Sequence, residues 1–180
     1  MAGVEEEVAV ASPAHQRHVR RRGGAQARPE LRAVLLARVR KEFERALHER
    51  FAAQGFRREA MAPVYGLAEC CVGLLFPPLG RAPLIDRVQR EPLAREGRAL
   101  PAHGDDANAL RFVACGAPLR GHAVRLLDAE GREVGERREG RLEFKGPSAT
   151  LGYFRNPEQS ARLFHDGWLD SGDRAYRAAG

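Results

Sequence analysis

The chain has 180 residues, 43% hydrophobic and 30% charged, with a formal net charge of +6; this is enough to bury one moderate core and too short for most multi-domain ATP-using enzymes. Its basic residues are almost all arginine, the only lysines being Lys41 and Lys145, and its only Ser/Thr hydroxyls are Ser12, Ser148, Thr150, Ser160 and Ser171. That inventory excludes a Ser/Thr/Gly-rich phosphate loop ending in lysine. The positive charge is also local: residues 1–60 hold 13 basic and 8 acidic side chains, residues 61–180 hold 17 and 16. The basic stretch has no interleaved aromatics and no reader motif, which argues against a nucleic-acid-binding module.

Residues 1–28 read as a poorly ordered basic arm, too poor in apolar surface to offset the entropy of ordering. Glu5, Glu6 and Glu7 stand where a secretory leader would be positive. Pro29-Glu30 opens a helix, and Leu31, Leu35, Val39, Phe43, Leu47 and Phe51 recur every four residues as one apolar stripe. Arg40/Glu44 and Arg45/Glu49 decorate the other side, and Gly55 supplies the stop. Packing of that stripe on a sheet is the expectation; a free amphipathic helix on a membrane is the alternative.

From Ala60 the pattern changes to short strands and turns. Ala62-Pro63-Val64 leads into Tyr65-Gly66 and a mainly apolar stretch to Phe76, broken by Pro77-Pro78 and Gly80. Residues 81–110 read as strand fragments and loop. Phe112 to Cys115 predicts a strand stopped by Gly116 and Pro118. The alternation over His122–Leu127, the turn Asp128–Gly131 and a return over Arg132–Val134 predict a hairpin, with a third strand at Arg141–Lys145. Asn156-Pro157-Glu158 starts a short helix running to about Phe164. The cysteines (70, 71 and 115) have no zinc spacing, and their odd number argues against a disulfide framework. The longest apolar run, Val72 to Phe76, is too short to span a membrane. A reducing cytoplasm is the expected location.

Two segments exceed what bland structure needs. Tyr65-Gly66-Leu67-Ala68-Glu69 puts an aromatic, a flexible glycine and a carboxylate after an apolar stretch; at a strand's end this offers a ring to a base and a carboxylate to a metal-bound phosphate. Gly167-Trp168-Leu169-Asp170-Ser171-Gly172-Asp173 supplies glycines beside a carboxylate suited to ribose hydroxyls. Each alone is weak, the first being compatible with a solvated glutamate and the second with an ordinary turn.

Together, with the text between them, they resemble the adenylate-forming (AMP-dependent) ligase superfamily. Met61-Ala-Pro-Val-Tyr-Gly-Leu-Ala-Glu69 is similar to its Tyr-Gly-x-Thr/Ala-Glu motif, and Cys115-Gly-Ala-Pro-Leu-Arg-Gly121 to its Gly-x-Pro-x-x-Gly segment. Gly140 to Pro147, Gly152 to Pro157 and the Trp-x-x-Ser-Gly-Asp run ending at Asp173 continue the resemblance over residues 56–180. Glu69 and Gly116 stand 47 positions apart, and the stretch between them resembles the inserted region of fatty-acyl-AMP ligases, with residues 77–110 as the insertion. Ala68 also suits that branch.

The resemblance implies an α/β fold: a fragment of the large N-terminal domain, with an N-terminal helix followed by a mixed, β-rich subdomain over residues 29–180. It implies ATP and Mg²⁺ as cofactors, a fatty acid as substrate, and an acyl carrier protein or CoA as acceptor. Tyr65 would lie against adenine, Gly66 would leave room for the ligand, Glu69 would help hold Mg²⁺, and Asp173 would bind the ribose. The family's phosphate loop lies upstream of the matched region and its catalytic lysine downstream, so the 180 residues alone are expected to adenylate weakly or not at all. Leu36-Ala37-Arg38-Val39 stands where the family has an adenine-contacting Gly-Ala-Glu segment. The other readings are an acyl-CoA synthetase fragment and a non-catalytic remnant.

Overall fold

The computed structural model describes residues 7–11 and 45–178. The expected apolar stripe over residues 31–43 and the Arg40/Glu44 pair lie outside them. Residues 45–51 are helical, as expected, and run into a 3-10 turn, Ala52–Gln54, closed by Gly55 at φ 84°. Arg45 and Glu49 pair at 3.4 Å across one helical turn. Phe51, expected on the packed stripe, is 41% exposed; the end of the stripe is therefore not covered.

The main sheet has the strand order β1-β9-β7-β6 with β8 also on β9, all antiparallel. Its members are β1 (Glu7–Ala11), β6 (Ala123–Leu127), β7 (Gly140–Lys145), β8 (Phe164–His165) and β9 (Trp168–Ala178). Residues 7–11, expected within a poorly ordered arm, instead form an edge strand that pairs residue for residue with Arg174–Ala178. The alternating sequence Glu-Val-Ala-Val-Ala is a strand pattern once a partner strand is offered.

The predicted hairpin forms and is brief. Arg132–Val134 contributes one bridge, Leu127 to Glu133, and β6 pairs along its length with β7. Asp128 shapes the turn: its carboxylate accepts from the backbone of Glu130 and Arg132, and the chain returns with the Asp128 N–H on the Arg132 carbonyl and the Val134 N–H on the Leu126 carbonyl. Leu142 and Phe144 share one face of β7, as predicted, and pack in a core with Cys70, Leu74, Leu75, Leu126, Leu163 and Leu169.

Between Phe76 and Gly116 the chain builds β3 (Ile85–Val88), α1 (Arg90–Glu96) and β4 (Leu110–Val113), with β3 and β4 antiparallel. The helix was not foreseen. Its cues are local: Glu91 and Pro92 in the first turn, and Gly97 at φ 62° donating to the Leu93 and Pro92 carbonyls. Strand β4 sits two residues earlier than predicted: Val113 is the partner of Ile85, and the Ala114 N–H makes one further bond, to the Leu84 carbonyl. Val88, Ala99 and Leu110 form a second small core on Tyr176 and Ala178 of β9. Pro118, expected to end a strand, lies in one: β5 (Ala117–Pro118) pairs with β2 (Leu75–Phe76). A proline is tolerated in so short a pairing because Leu119 makes the bond to Leu74 instead. The helix α2 (Pro157–Leu163) is capped as predicted, Asn156 accepting from the Gln159 N–H at 3.1 Å.

Candidate nucleotide site

Strand β9 is not regular. Arg141 pairs with Arg174 and Glu143 with Asp170, so three residues of β9, Ser171, Gly172 and Asp173, oppose the single residue Leu142 of β7. This is a bulge, a device that re-aims side chains within a ladder. Ser171 Oγ donates to the Leu142 carbonyl at 2.8 Å and accepts from the Asp173 N–H at 3.1 Å. Gly172 takes φ 71° and donates to Asp170 Oδ1 at 2.8 Å. Trp168 to Asp173 of this segment thus lie inside the longest strand rather than in an ordinary turn, and the serine and glycine shape the bulge.

The bulge points Asp173 inward, where it is 6% exposed. Its Oδ2 accepts from the Tyr65 hydroxyl at 2.7 Å across 108 positions. Burial pushes the Tyr65 hydroxyl well above its ordinary pKa, and the Asp173 carboxylate adds to the rise, so the proton stays on the tyrosine.

Tyr65 follows no strand. Residues 61–64 are irregular, and Tyr65 makes a single bridge to Leu75. The expected strand is replaced by a tight loop in which the Leu67 carbonyl accepts from Cys70 and Val72, and the Cys70 carbonyl from Gly73. Cys71 and Val72 take φ 48° and 68°. For a β-branched residue that is strained, on the order of 1–3 kcal/mol, and such strain clusters at ligand sites. Gly66 is required here, but for a reason other than ligand space: a Cβ would lie 1.8 Å from the Val72 carbonyl oxygen. The room that glycine makes is filled by the protein's own backbone.

Glu69 sits in the 3-10 turn Ala68–Cys70, half-buried. Its Oε1 accepts from the Tyr153 hydroxyl at 2.5 Å, and its carbonyl accepts from the Thr150 N–H at 2.8 Å. That contact pushes the Tyr153 hydroxyl up to about 12. No group of three or more His, Cys, Asp or Glu is placed to hold a metal among the described residues. A magnesium ion at Glu69 would therefore take most of its ligands from phosphate oxygens and water. Mg²⁺ is commonly held that way, by one or two carboxylates plus phosphates, so the donor set fits.

Sequence reasoning missed two clusters. Tyr153 could not be connected to Glu69, 84 positions away. Glu143, on the face of β7 opposite Leu142, is 0% exposed and accepts from Arg125 Nε and Nη2, Arg141 Nη2 and His165 Nδ1 at 2.7–2.8 Å. Burial raises its pKa, but His165, Arg125 and Arg141 together outweigh that and hold it below the ordinary value. The Trp168 ring meets two cations, the Arg125 guanidinium 4.6 Å from its centroid and the Lys145 ammonium at 4.4 Å. The alternation of Arg, Glu and Lys on paired strands was the available signal. His165 and Cys70 make structural contacts: His165 on Glu143, and Cys70 Sγ 3.3 Å from Ser148 Oγ.

Known proteins share sequence and fold with this chain. The family model for AMP-binding enzymes matches residues 7–154. A Caulobacter vibrioides protein described as an acyl-CoA synthetase is 37% identical over 137 residues, 76% of this chain and 24% of that protein. A medium-chain-fatty-acid–acyl-carrier-protein ligase of Moorena producens is 26% identical over 144 residues, 79% of this chain and 24% of that ligase. A solved structure from work on fatty acyl-adenylate ligases of E. coli and L. pneumophila superposes with a TM-score of 0.68 at 30% identity, covering 75% of this chain and 24% of that one. The chain thus spans about a quarter of the length of the relatives it matches. Its mixed helix and strand architecture is that of part of the N-terminal domain of adenylate-forming enzymes. No helix among the described residues is long and apolar enough to cross a membrane. The chain belongs to the AMP-binding enzyme family of adenylate-forming ligases.

Proposed function

We propose that this chain is the adenine-, ribose- and magnesium-facing part of a ligase that activates a fatty carboxylic acid with ATP. The products are an acyl-adenylate and pyrophosphate, and the acyl group passes to an acyl carrier protein. The Tyr65–Asp173 hydrogen bond carries the reading, because it joins a ring and a nearly buried carboxylate beside the turn that bears Glu69. The Tyr65 ring lies against adenine, Asp173 accepts from the ribose hydroxyls, and Glu69 provides a carboxylate oxygen to Mg²⁺. Gly66 has no ligand role in this proposal, since Val72 occupies its space.

In the reaction, a carboxylate oxygen of the fatty acid attacks the α-phosphorus of ATP as the bond to the bridging oxygen of pyrophosphate breaks. The attacking group is already an anion, so no general base is needed. What the residues described here contribute is placement. With Tyr65 and Asp173 fixed against each other before ATP arrives, less orientational freedom remains to be lost on binding. When bound, Mg²⁺ offsets phosphate charge.

Two observations support the carrier-protein acceptor: the 26% identity to a medium-chain-fatty-acid–acyl-carrier-protein ligase, and residues 77–110, which we read as the branch's insertion. In and just after that stretch β3, α1 and β4 gather around a small core that they share with Tyr176 and Ala178 of β9. The 37% identity to a protein described as an acyl-CoA synthetase supports the second reading, transfer to CoA. No disulfide joins Cys70, Cys71 and Cys115, which fits a reducing cytoplasm.

The deciding experiment uses the protein that carries this chain. It measures fatty-acid-dependent ATP–pyrophosphate exchange, then compares CoA with a phosphopantetheinylated carrier as acceptor. We expect exchange and preference for the carrier. Preference for CoA would favour the second reading, and exchange indifferent to D173A would remove the ribose assignment.

A further inference from the structure

The loop between β7 and α2 clamps the turn that carries Glu69. Cys70 Sγ lies 3.3 Å from Ser148 Oγ, Cys71 Sγ donates to the Ser148 carbonyl at 3.6 Å, and the Thr150 N–H donates to the Glu69 carbonyl at 2.8 Å. These three contacts hold the turn. The fourth, from the Tyr153 hydroxyl to Glu69 Oε1 at 2.5 Å, is the one that reaches the carboxylate.

Tyr153 is itself anchored by α2. Its N–H donates to Ser160 Oγ at 2.8 Å, and that hydroxyl donates to the Asn156 carbonyl at 2.8 Å. Gly152, at φ 139°, leaves little slack, because a Cβ there would lie 2.9 Å from Ser160 Oγ. The Tyr153 side chain is not core: the residue is 41% exposed. Its hydroxyl therefore does something other than packing.

We propose that Tyr153 is a positioning residue for divalent-cation binding at Glu69. It holds the carboxylate in one orientation through Oε1, which leaves Oε2, without a partner among the described residues, to meet the cation. The inference rests on the reading of Glu69 given above. Glutamate has three side-chain torsions; without the hydroxyl they spread over several rotamers, and the cation must order them on binding. Hydrogen-bond partners of metal ligands commonly matter about 10–100-fold in metal affinity.

The test compares Y153F, S160A and E69Q in the protein that carries this chain. Equilibrium binding of Mn²⁺ in the presence of ATP is followed by the electron paramagnetic resonance of free Mn²⁺. The Mg²⁺ dependence of acyl-adenylate formation is measured alongside. We expect Y153F to weaken Mn²⁺ binding about tenfold and to raise half-saturating Mg²⁺ equally, with the rate at saturating Mg²⁺ nearly unchanged. S160A, which loosens the Tyr153 backbone, shifts both in the same direction by less. Unchanged Mn²⁺ binding in Y153F, with E69Q strongly impaired, would overturn the role of Tyr153 and leave that of Glu69 standing. Unchanged binding in E69Q would overturn both. A fall in rate at saturating Mg²⁺ without a shift in affinity would also refute positioning.

Discussion

Replacing Glu143 with glutamine tests whether the buried carboxylate organises the polar face of the sheet. The change keeps volume but removes the charge that four donors share: two from Arg125 on Oε2, and one each from Arg141 and His165 on Oε1. Breaking a buried ion pair by removing one partner costs about 3–5 kcal/mol. Here the cations are less buried than the carboxylate, with Arg125 21% and Arg141 39% exposed against 0% for Glu143. Both can turn partly to water, and Arg125 keeps the Trp168 ring. The expected loss is therefore lower, about 2–3 kcal/mol. In a chain of this size that lowers the melting temperature by about 5–10 °C. The assay is thermal and urea unfolding of wild type and E143Q at several pH values. Because the folded-state pKa of Glu143 is lowered, its contribution is fully present above the unfolded value, about 4.3, and is lost as pH falls through the folded value. The gap between the two proteins should hold at neutral pH and narrow in acid. Equal melting at pH 7, or a gap that widens in acid, would refute the reasoning.

Gly66→Ala should destabilise the chain by about 2 kcal/mol or more, because the new methyl meets the Val72 carbonyl and the backbone must shift; calorimetry checks it. Asn156→Ala removes the cap on the Gln159 N–H and should cost about 1 kcal/mol in urea unfolding. Iodoacetamide should label Cys71 in the native chain while Cys70 and Cys115, both buried, react only after unfolding, as peptide mass spectrometry would show. Asp173→Asn should weaken AMP binding to the protein that carries this chain about tenfold or more, in line with loss of hydrogen bonds to a charged acceptor; calorimetric titration gives the value.

The legible parts of this protein are those whose cause lies within a few residues. Asn156-Pro157 starts α2 and Gly55 closes the turn after residues 45–51, because a cap or a left-handed glycine acts on its own neighbours. The face shared by Leu142 and Phe144 follows from strand periodicity alone. Even α1 had its cues in Glu91, Pro92 and Gly97, too close together to leave an apolar stripe.

The site itself was legible as residue types and not as geometry. Motif order singled out Tyr65, Glu69 and Asp173, but nothing local states that a three-residue bulge opposite Leu142 brings Asp173 to Tyr65, or that Gly66 makes room for Val72. The strand character of residues 7–11 likewise depends on the free edge that β9 offers. By itself the sequence determined the short-range elements, the near-neutral charge of residues 61–180 and the chemistry available at each position. Only the tertiary structure decided which of those groups meet. Register across strands, the placement of a bulge and the closing of a loop 84 or 108 positions long depend on all the partners at once, and no local period encodes them.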